Sequence, residues 1–240
     1  MSDTTTVGQE PSATPGLLAR IIGVLFSPRP TYAAVAAKPR SLGVMLVVIL
    51  VMGVAQSVFL SSELGQKIAL DTQIKAMESF GFNVSDQMYD QLEQGMKRAA
   101  ITTPIAQGIF LPIVIAVEAG VLLLIFSLLM GGAATFKHVY AVVAHSSVIV
   151  AVQQVFTMAL SFASGKTAGA NLGIFVPMLE EKSVVTLFLG SIDLFYVWAT
   201  ISLAIGLGVL YKRSTGAIAT TLLGIYVAIA LVIAFVRSGS

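Results

Sequence analysis

Three ionisable side chains, Glu118, His145 and Asp193, lie within long apolar stretches of the sequence. An ionisable residue inside a membrane-spanning helix costs several kcal/mol on insertion scales, so each of them marks a candidate functional position. With about 1.5 Å of rise per residue, all three are expected near the middle of the membrane or slightly to its inner side. Such side chains either hydrogen-bond between helices or change protonation along an ion pathway.

Polar neighbours extend this group along two helical faces. Gln153 shares a face with His145, and Tyr196 and Thr200 share a face with Asp193. The sequence predicts a buried polar layer made of Glu118, His145, Gln153, Asp193, Tyr196 and Thr200. In the structural interpretation, hydrogen bonds within this layer hold helices together. In the functional interpretation, the protein is a small proton- or cation-coupled carrier, and Glu118 and Asp193 change protonation along its pathway.

Residue sets for enzymatic catalysis or metal binding do not stand out. The chain has no Cys and two His, and it lacks the HExxH pattern of zinc proteases and the GxSxG pattern of serine hydrolases. We therefore expect no catalytic residue, no bound metal and no cofactor. The formal net charge of +2 is too small for the strongly basic surface typical of nucleic-acid binding, so we expect no nucleic-acid partner.

The elements that must position these side chains are membrane-spanning helices. Of 240 residues, 56% are hydrophobic and 11% are charged, and the mean hydropathy is +0.90, whereas soluble domains carry about 25% charged residues. A helix is the form that satisfies its own backbone in lipid. Five stretches are long enough to cross a bilayer within a membrane domain of residues 41–236, namely 41–60, 104–131, 139–164, 184–211 and 217–236. The predicted fold class is all-α, a polytopic helical bundle with five transmembrane helices.

The remainder of the chain forms shorter segments. Residues 1–16 are polar and predict a disordered tail, and residues 237–240 form a short C-terminal tail. Residues 17–40 predict two amphipathic helices that lie in the membrane interface, because neither is long enough to span. Residues 61–103, between spans one and two, predict two further amphipathic helices, broken at Gly81-Phe82-Asn83.

Basic residues near the first span bear on lipid contacts and on orientation. Arg20, Arg29, Lys38 and Arg40 are available to anionic headgroups. Lys and Arg divide equally between the two sides of the five spans, seven against seven. Lys38 and Arg40 nevertheless adjoin the first span, which usually dominates orientation. We therefore expect a cytoplasmic N-terminus and, after five spans, an external C-terminus.

Several short stretches resemble motifs of bacterial Yip-domain membrane proteins. They are FSPRPTY at residues 26–32 with KPR at 38–40, GGAATFKHV at 131–139 and SIDLFYVW at 191–198. The resemblance extends from Leu17 to the C-terminus. It implies a five-span bundle with a cytoplasmic N-terminus, integral to the plasma membrane, which in a bacterium is the inner membrane. It implies little about activity.

The eukaryotic relatives of this family act as non-enzymatic adaptors that interact with small GTPases, and they carry an Asp-Leu-Tyr-Gly-Pro type signature. Asp193-Leu194-Phe195-Tyr196 departs from that signature, so the GTPase role is not carried over. The expected function is a non-enzymatic organiser or accessory subunit of a membrane transport or envelope complex. Its expected partners are the lipid bilayer and other membrane proteins or a second copy of the chain. The alternative is the coupled carrier with buried carboxylates.

Overall fold

The computed structural model describes residues 15–131, 134–180 and 183–239. The tail predicted for residues 1–16 therefore lies outside the described residues except for its last two. Regular structure in the described ranges is helical, which confirms the all-α class. The helices are α1 Leu17–Phe26, α2 Pro28–Ala37, α3 Leu42–Leu60, α4 Glu63–Glu78, α5 Asp86–Met130, α6 Phe136–Ser164, α7 Val184–Gly190, α8 Leu194–Tyr211 and α9 Thr215–Ser238, with a 3₁₀ turn at Leu172–Phe175.

Five of these helices, α3, α5, α6, α8 and α9, are long and apolar enough to cross a membrane. Helix α6 lies at the centre of the bundle, where α1, α2, α3, α5 and α8 pack against it. Its side chains from Ala141 to Ile149 are all buried. Small residues within this stretch allow neighbouring helices to approach closely. We call the end of the bundle that carries α1, α2 and the α8–α9 turn the N-terminal face.

Helix α5 joins the predicted amphipathic segment that ends at residue 103 to the span predicted from residue 104. It continues unbroken for 45 residues from Asp86 to Met130. At about 1.5 Å per residue it is about 68 Å long and projects beyond a hydrocarbon core of about 30 Å. The change from polar to apolar composition near residue 103 therefore marks the entry of one helix into the membrane.

Pro104 does not interrupt α5 because a neighbouring helix compensates for the missing donor. A proline has no N–H to donate to the carbonyl four residues earlier, which here belongs to Ala100. The Ser57 hydroxyl of α3 donates a hydrogen bond to that carbonyl oxygen at 2.9 Å. This contact satisfies the free carbonyl, as bundled membrane helices require.

Nearby, α4 packs on α3 and α5 through a cluster of Phe59, Leu60, Ile68 and Ala99.

Helix α1 turns three of its apolar side chains outward and its one basic side chain inward. Leu18, Ile22 and Phe26 are 72%, 57% and 78% exposed, whereas Arg20 is only 8% exposed and its Nη1 donates to the Arg40 carbonyl at 3.2 Å. Arg20 was predicted to contact headgroups, and the structure corrects this because its side chain is directed into the protein. An outer surface that faces lipid favours apolar side chains, so the apolar stripe of α1 lies outward.

Helix α2 is held on α8 by Tyr32, which is fully buried. The hydroxyls of Tyr32 and Ser202 share a hydrogen bond of 2.9 Å. Burial raises the pKa of the Tyr32 phenol, so the hydroxyl stays protonated and available for this bond. The close approach depends on Gly206, because a Cβ atom there would lie 2.5 Å from Val142 Cγ1 and 2.9 Å from Tyr32 Cδ1.

Candidate functional site

Glu118 lies at a small cavity on the side of the bundle, between α5, α6 and α8. The cavity has a volume of about 120 Å³ and is lined, besides Glu118, by Val143, Ser146, Ser147, Val150, Tyr196, Ala199, Thr200 and Leu203. Glu118 lies 12 residues before Met130, and Thr200 lies 11 residues before Tyr211, at the ends of α5 and α8 on the N-terminal face. Both are therefore about 17 Å deep, near the middle of the hydrocarbon core.

Polar groups collect at this cavity without pairing to the carboxyl group. Glu118 is exposed on the bundle surface and makes no hydrogen bond within the described part of the chain. The hydroxyls of Ser146 and Ser147 donate to carbonyls of their own helix, at 2.8 and 2.9 Å. The structure thus brings Glu118 together with two predicted site residues, Tyr196 and Thr200. We call the five polar residues around this cavity the Glu118 notch.

Asp193 has a different position and a structural role. It is the N-cap of α8, and its Oδ1 accepts the N–H groups of Phe195 at 2.8 Å and Tyr196 at 3.3 Å. Its Oδ2 accepts a hydrogen bond from Gln153 Nε2 at 3.4 Å. The 18 residues of α8 separate Asp193 from the N-terminal face by about 27 Å. Asp193 therefore lies at the end of α8 that is remote from the N-terminal face.

The fourth span is also divided, whereas the sequence interpretation treated residues 184–211 as one helix. Helix α7 ends at Gly190 and α8 begins at Leu194. The Tyr226 hydroxyl of α9 accepts the Asp193 N–H at 3.0 Å and donates to the Ser191 carbonyl at 2.9 Å. These bonds, together with the Asp193 cap, satisfy the backbone groups that a break in lipid would otherwise leave unpaired.

His145 is separated from both carboxylates. It is completely buried in α6, where its Nδ1–H donates to the Ala141 carbonyl oxygen at 2.7 Å. Its Nε2 is buried without a hydrogen-bond partner among the described residues. The predicted layer is therefore spread over the Glu118 notch, the Asp193 cap with Gln153, and His145, with Tyr196 shared between the notch and the cap.

A polar network that the sequence interpretation missed links α3, α5 and α6. Gln107 Nε2 donates to Gln154 Oε1 at 2.8 Å, and Gln154 Nε2 donates to the Met52 carbonyl at 3.0 Å and to Gln56 Oε1 at 3.2 Å. The sequence feature that indicates this network is the presence of three uncharged amide side chains within apolar spans. Uncharged amides are a weaker signal than ionisable groups in an apolar stretch, yet here they hold three spans together.

Of the remaining predicted headgroup contacts, Arg29, Lys38 and Arg40 are exposed at the N-terminal face. Their exposure leaves them accessible to lipid phosphates. In the described ranges, no group of three or more His, Cys, Asp or Glu side chains could hold a metal ion. The polar features of the structure therefore lie at a lateral notch, at a helix cap and on a basic face.

Comparison with known proteins identifies the family. The Yip1 domain family model matches residues 22–237, which is nearly the whole chain. No curated protein and no solved structure matches the chain. The family match agrees with the resemblance seen in the sequence motifs, and the five apolar helices agree with a protein embedded in a membrane. The chain belongs to the Yip1 domain family.

Proposed function

We propose that this chain is a non-enzymatic integral membrane protein that organises other membrane components, as an accessory subunit of a transport or envelope complex. The observation that carries the proposal is the Glu118 notch, which turns an unpaired carboxyl group toward lipid at mid-depth. A polar group left without a partner in hydrocarbon costs several kcal/mol. A transmembrane helix of a partner that supplies a hydrogen-bonding side chain would remove this cost.

The shape of the notch suits a docking helix. Helices α5 and α8 both pack on α6, and near the N-terminal face Phe126 and Tyr211 close the gap between them with ring centroids 6.0 Å apart. Toward mid-depth, Glu118 and Tyr196 flank the open cavity. Interhelical hydrogen bonds in membranes contribute about 0.6 to 2 kcal/mol each, so several polar contacts in this notch would support a specific association.

The carrier alternative would gain support from titratable groups connected across the bundle. Among the described residues no hydrogen bond joins Glu118, His145 and Asp193 to one another, although Tyr196 lies at both the notch and the Asp193 cap. The Asp193 carboxylate has a structural role as the cap of α8, and His145 bonds to its own helix through Nδ1. We therefore place the interaction surface at Glu118 alone.

Photo-crosslinking in intact membranes tests the docking site. A photoreactive phenylalanine replaces Val121, which is 49% exposed and three residues from Glu118 on α5. We expect a discrete protein adduct that disappears when Glu118→Leu is added, because Leu offers no hydrogen bond, and that persists in part with Glu118→Gln. The control position is Leu50 on α3, which is 63% exposed and lies away from the notch. Adducts to lipid alone, or an unchanged protein adduct in Glu118→Leu, would contradict the proposal.

We also propose that the chain resides in the inner membrane of a bacterium, with the N-terminal face cytoplasmic and the C-terminus outside. Lys38 and Arg40 adjoin the first span on this face, in agreement with the positive-inside rule. Among its described residues the face has six exposed cations and no Asp or Glu, the cations being Arg29, Lys38, Arg40, Lys137, Lys212 and Arg213. Such a face is attracted to the anionic surface of a cytoplasmic leaflet.

Cysteine labelling tests this orientation without background, because the chain has no native Cys. Ser61 and Ser214 are exposed at opposite ends of the bundle. In cells with a permeable outer envelope, a maleimide that does not cross the inner membrane should label Ser61→Cys directly. It should label Ser214→Cys only after the inner membrane is opened. The reverse pattern would show that the N-terminal face is external.

A further inference from the structure

An open cleft lies at the N-terminal face, between α2 and the turn that joins α8 to α9. Its volume is about 810 Å³. It is lined by Arg29, Pro30, Ala33, Gly208, Val209, Lys212, Arg213 and Ser214. The cleft thus combines three cationic side chains, contributed by two separate parts of the chain, with apolar walls. Because it lies where α8 ends, it is at the boundary between the hydrocarbon core and water.

The backbone at Lys212 is unusual and places this cation at the cleft. Lys212 has φ = 53°, the one positive φ outside glycine in the described residues. The N–H groups of Lys212 and Arg213 both donate to the Gly208 carbonyl oxygen, which ends α8 in a tight turn. A left-handed backbone is unfavourable for a lysine and cost-free for a glycine. Such a strained position is a reason to look for a role of the side chain, which here lines a basic cleft.

The surroundings of the cleft favour an anion. The described residues of the N-terminal face include no Asp or Glu beside Arg29 and Lys212. Helix α9 begins beside the cleft at Ser214, whose side chain makes no capping hydrogen bond, and the first turn of α9 contains no acidic residue. The partial positive charge of this helix end therefore adds to the field of Arg29 and Lys212.

We propose that this cleft binds the phosphate group of an anionic phospholipid. Arg29 and Lys212 contact the phosphate oxygens, and Arg213 adds positive charge from the same turn. Pro30, Ala33 and Val209 give the adjoining walls an apolar surface along which the glycerol and acyl portions of a lipid can lie. This apolar surface at the membrane boundary favours a lipid over a soluble phosphate.

The experiment measures the melting temperature of the delipidated full chain in detergent during titration with dioctanoyl phosphatidylglycerol. Parallel titrations use dioctanoyl phosphatidylcholine and inorganic phosphate. We expect a saturable rise with phosphatidylglycerol and none with phosphatidylcholine. Each basic residue near an anionic lipid surface contributes to the binding free energy. Removing two of them should weaken the apparent affinity for the lipid about thirtyfold. The variant with both Arg29→Gln and Lys212→Gly should therefore need about thirtyfold more lipid for the same effect.

The Lys212→Gly change separates loss of binding from loss of folding. Glycine adopts φ = 53° without steric cost, so without lipid this single variant should melt at the wild-type temperature or above it. The matched control replaces Lys38 and Arg40 with Gln, which removes two charges from the same face outside the cleft. Its apparent affinity for phosphatidylglycerol should remain within about twofold of the wild type, because local contacts set the affinity.

Three outcomes would overturn the proposal. In the first, phosphatidylglycerol and phosphatidylcholine act alike on the wild type. In the second, the control variant loses as much affinity as the cleft variant, which would indicate a diffuse attraction of the whole face. In the third, inorganic phosphate saturates the wild type as tightly as the lipid does and fails on the cleft variant, which would reassign the cleft to a soluble phosphate ligand.

Discussion

Replacing Tyr32 by Ala is expected to lower the free energy of unfolding by about 3–5 kcal/mol, the range observed for truncating a large buried aromatic side chain. Tyr32 is fully buried between α2 and α8, and its ring fills the space opposite Gly206. The truncation leaves a cavity and also removes the hydrogen bond to Ser202. Denaturation of the detergent-solubilised protein, followed by circular dichroism, measures the change.

The matched control for this prediction is Tyr32→Phe, which keeps the ring and removes only the hydroxyl. We expect it to cost about 1 kcal/mol, because the Ser202 hydroxyl loses its partner while the packing is kept. If both variants destabilise the protein equally, the hydrogen bond rather than the ring holds α2 on the bundle. If neither does, α2 contributes little to the stability of the bundle.

Gly65→Ala is expected to destabilise the junction of α3 and α4 by about 1–3 kcal/mol, as overpacking does when the backbone must move. A Cβ atom at residue 65 would clash with the carbonyl oxygen of Phe59 and lie 2.7 Å from its carbonyl carbon. The Gly65 N–H also donates to Ser62 Oγ at 3.0 Å, so α4 cannot move without weakening its own N-cap. Limited proteolysis of α4 and thermal denaturation both measure this effect.

The control for this substitution is Gly95→Ala. Gly95 lies inside α5, and a Cβ atom there would have open space within 4 Å. Alanine in an exposed helix interior is more favourable than glycine by about 0.5–1 kcal/mol, so this variant should be slightly stabilised. An equal response of the two variants would show that the close approach of Gly65 to Phe59 is not what requires glycine.

Sequence composition was sufficient to predict five apolar helices, because a span needs a long apolar run whatever it packs against. It could not place the ends of α5, since a helix can pass from water into lipid without a break. The continuity of α5 depends on two residues in different helices, Pro104 in α5 and Ser57 in α3. Pro104 leaves a carbonyl free, and only the packed structure shows that Ser57 satisfies it.

The candidate site was predicted only in part. The sequence shows the residue types, but it does not show in which direction each side chain points in the folded protein. Glu118, Tyr196 and Thr200 are brought together by the packing of α5 and α8 on α6. Asp193 was read as a charge inside a span, although Asp is also a favoured N-cap residue and occupies that position in α8. Arg20 was placed in headgroups by its type alone, whereas the lipid-facing apolar stripe of α1 requires it to point inward.

The position of α2 also determines when the bundle can be completed during synthesis. Tyr32 and Ser202 are 170 residues apart in the chain. At about 5–20 residues per second, a ribosome needs about 9–34 s to make the second after the first. For most of that interval α6 is incomplete, and α8, on which α2 packs, is the last of these surfaces to be made. Helix α2 is therefore made early in synthesis and reaches its native contact with α8 late.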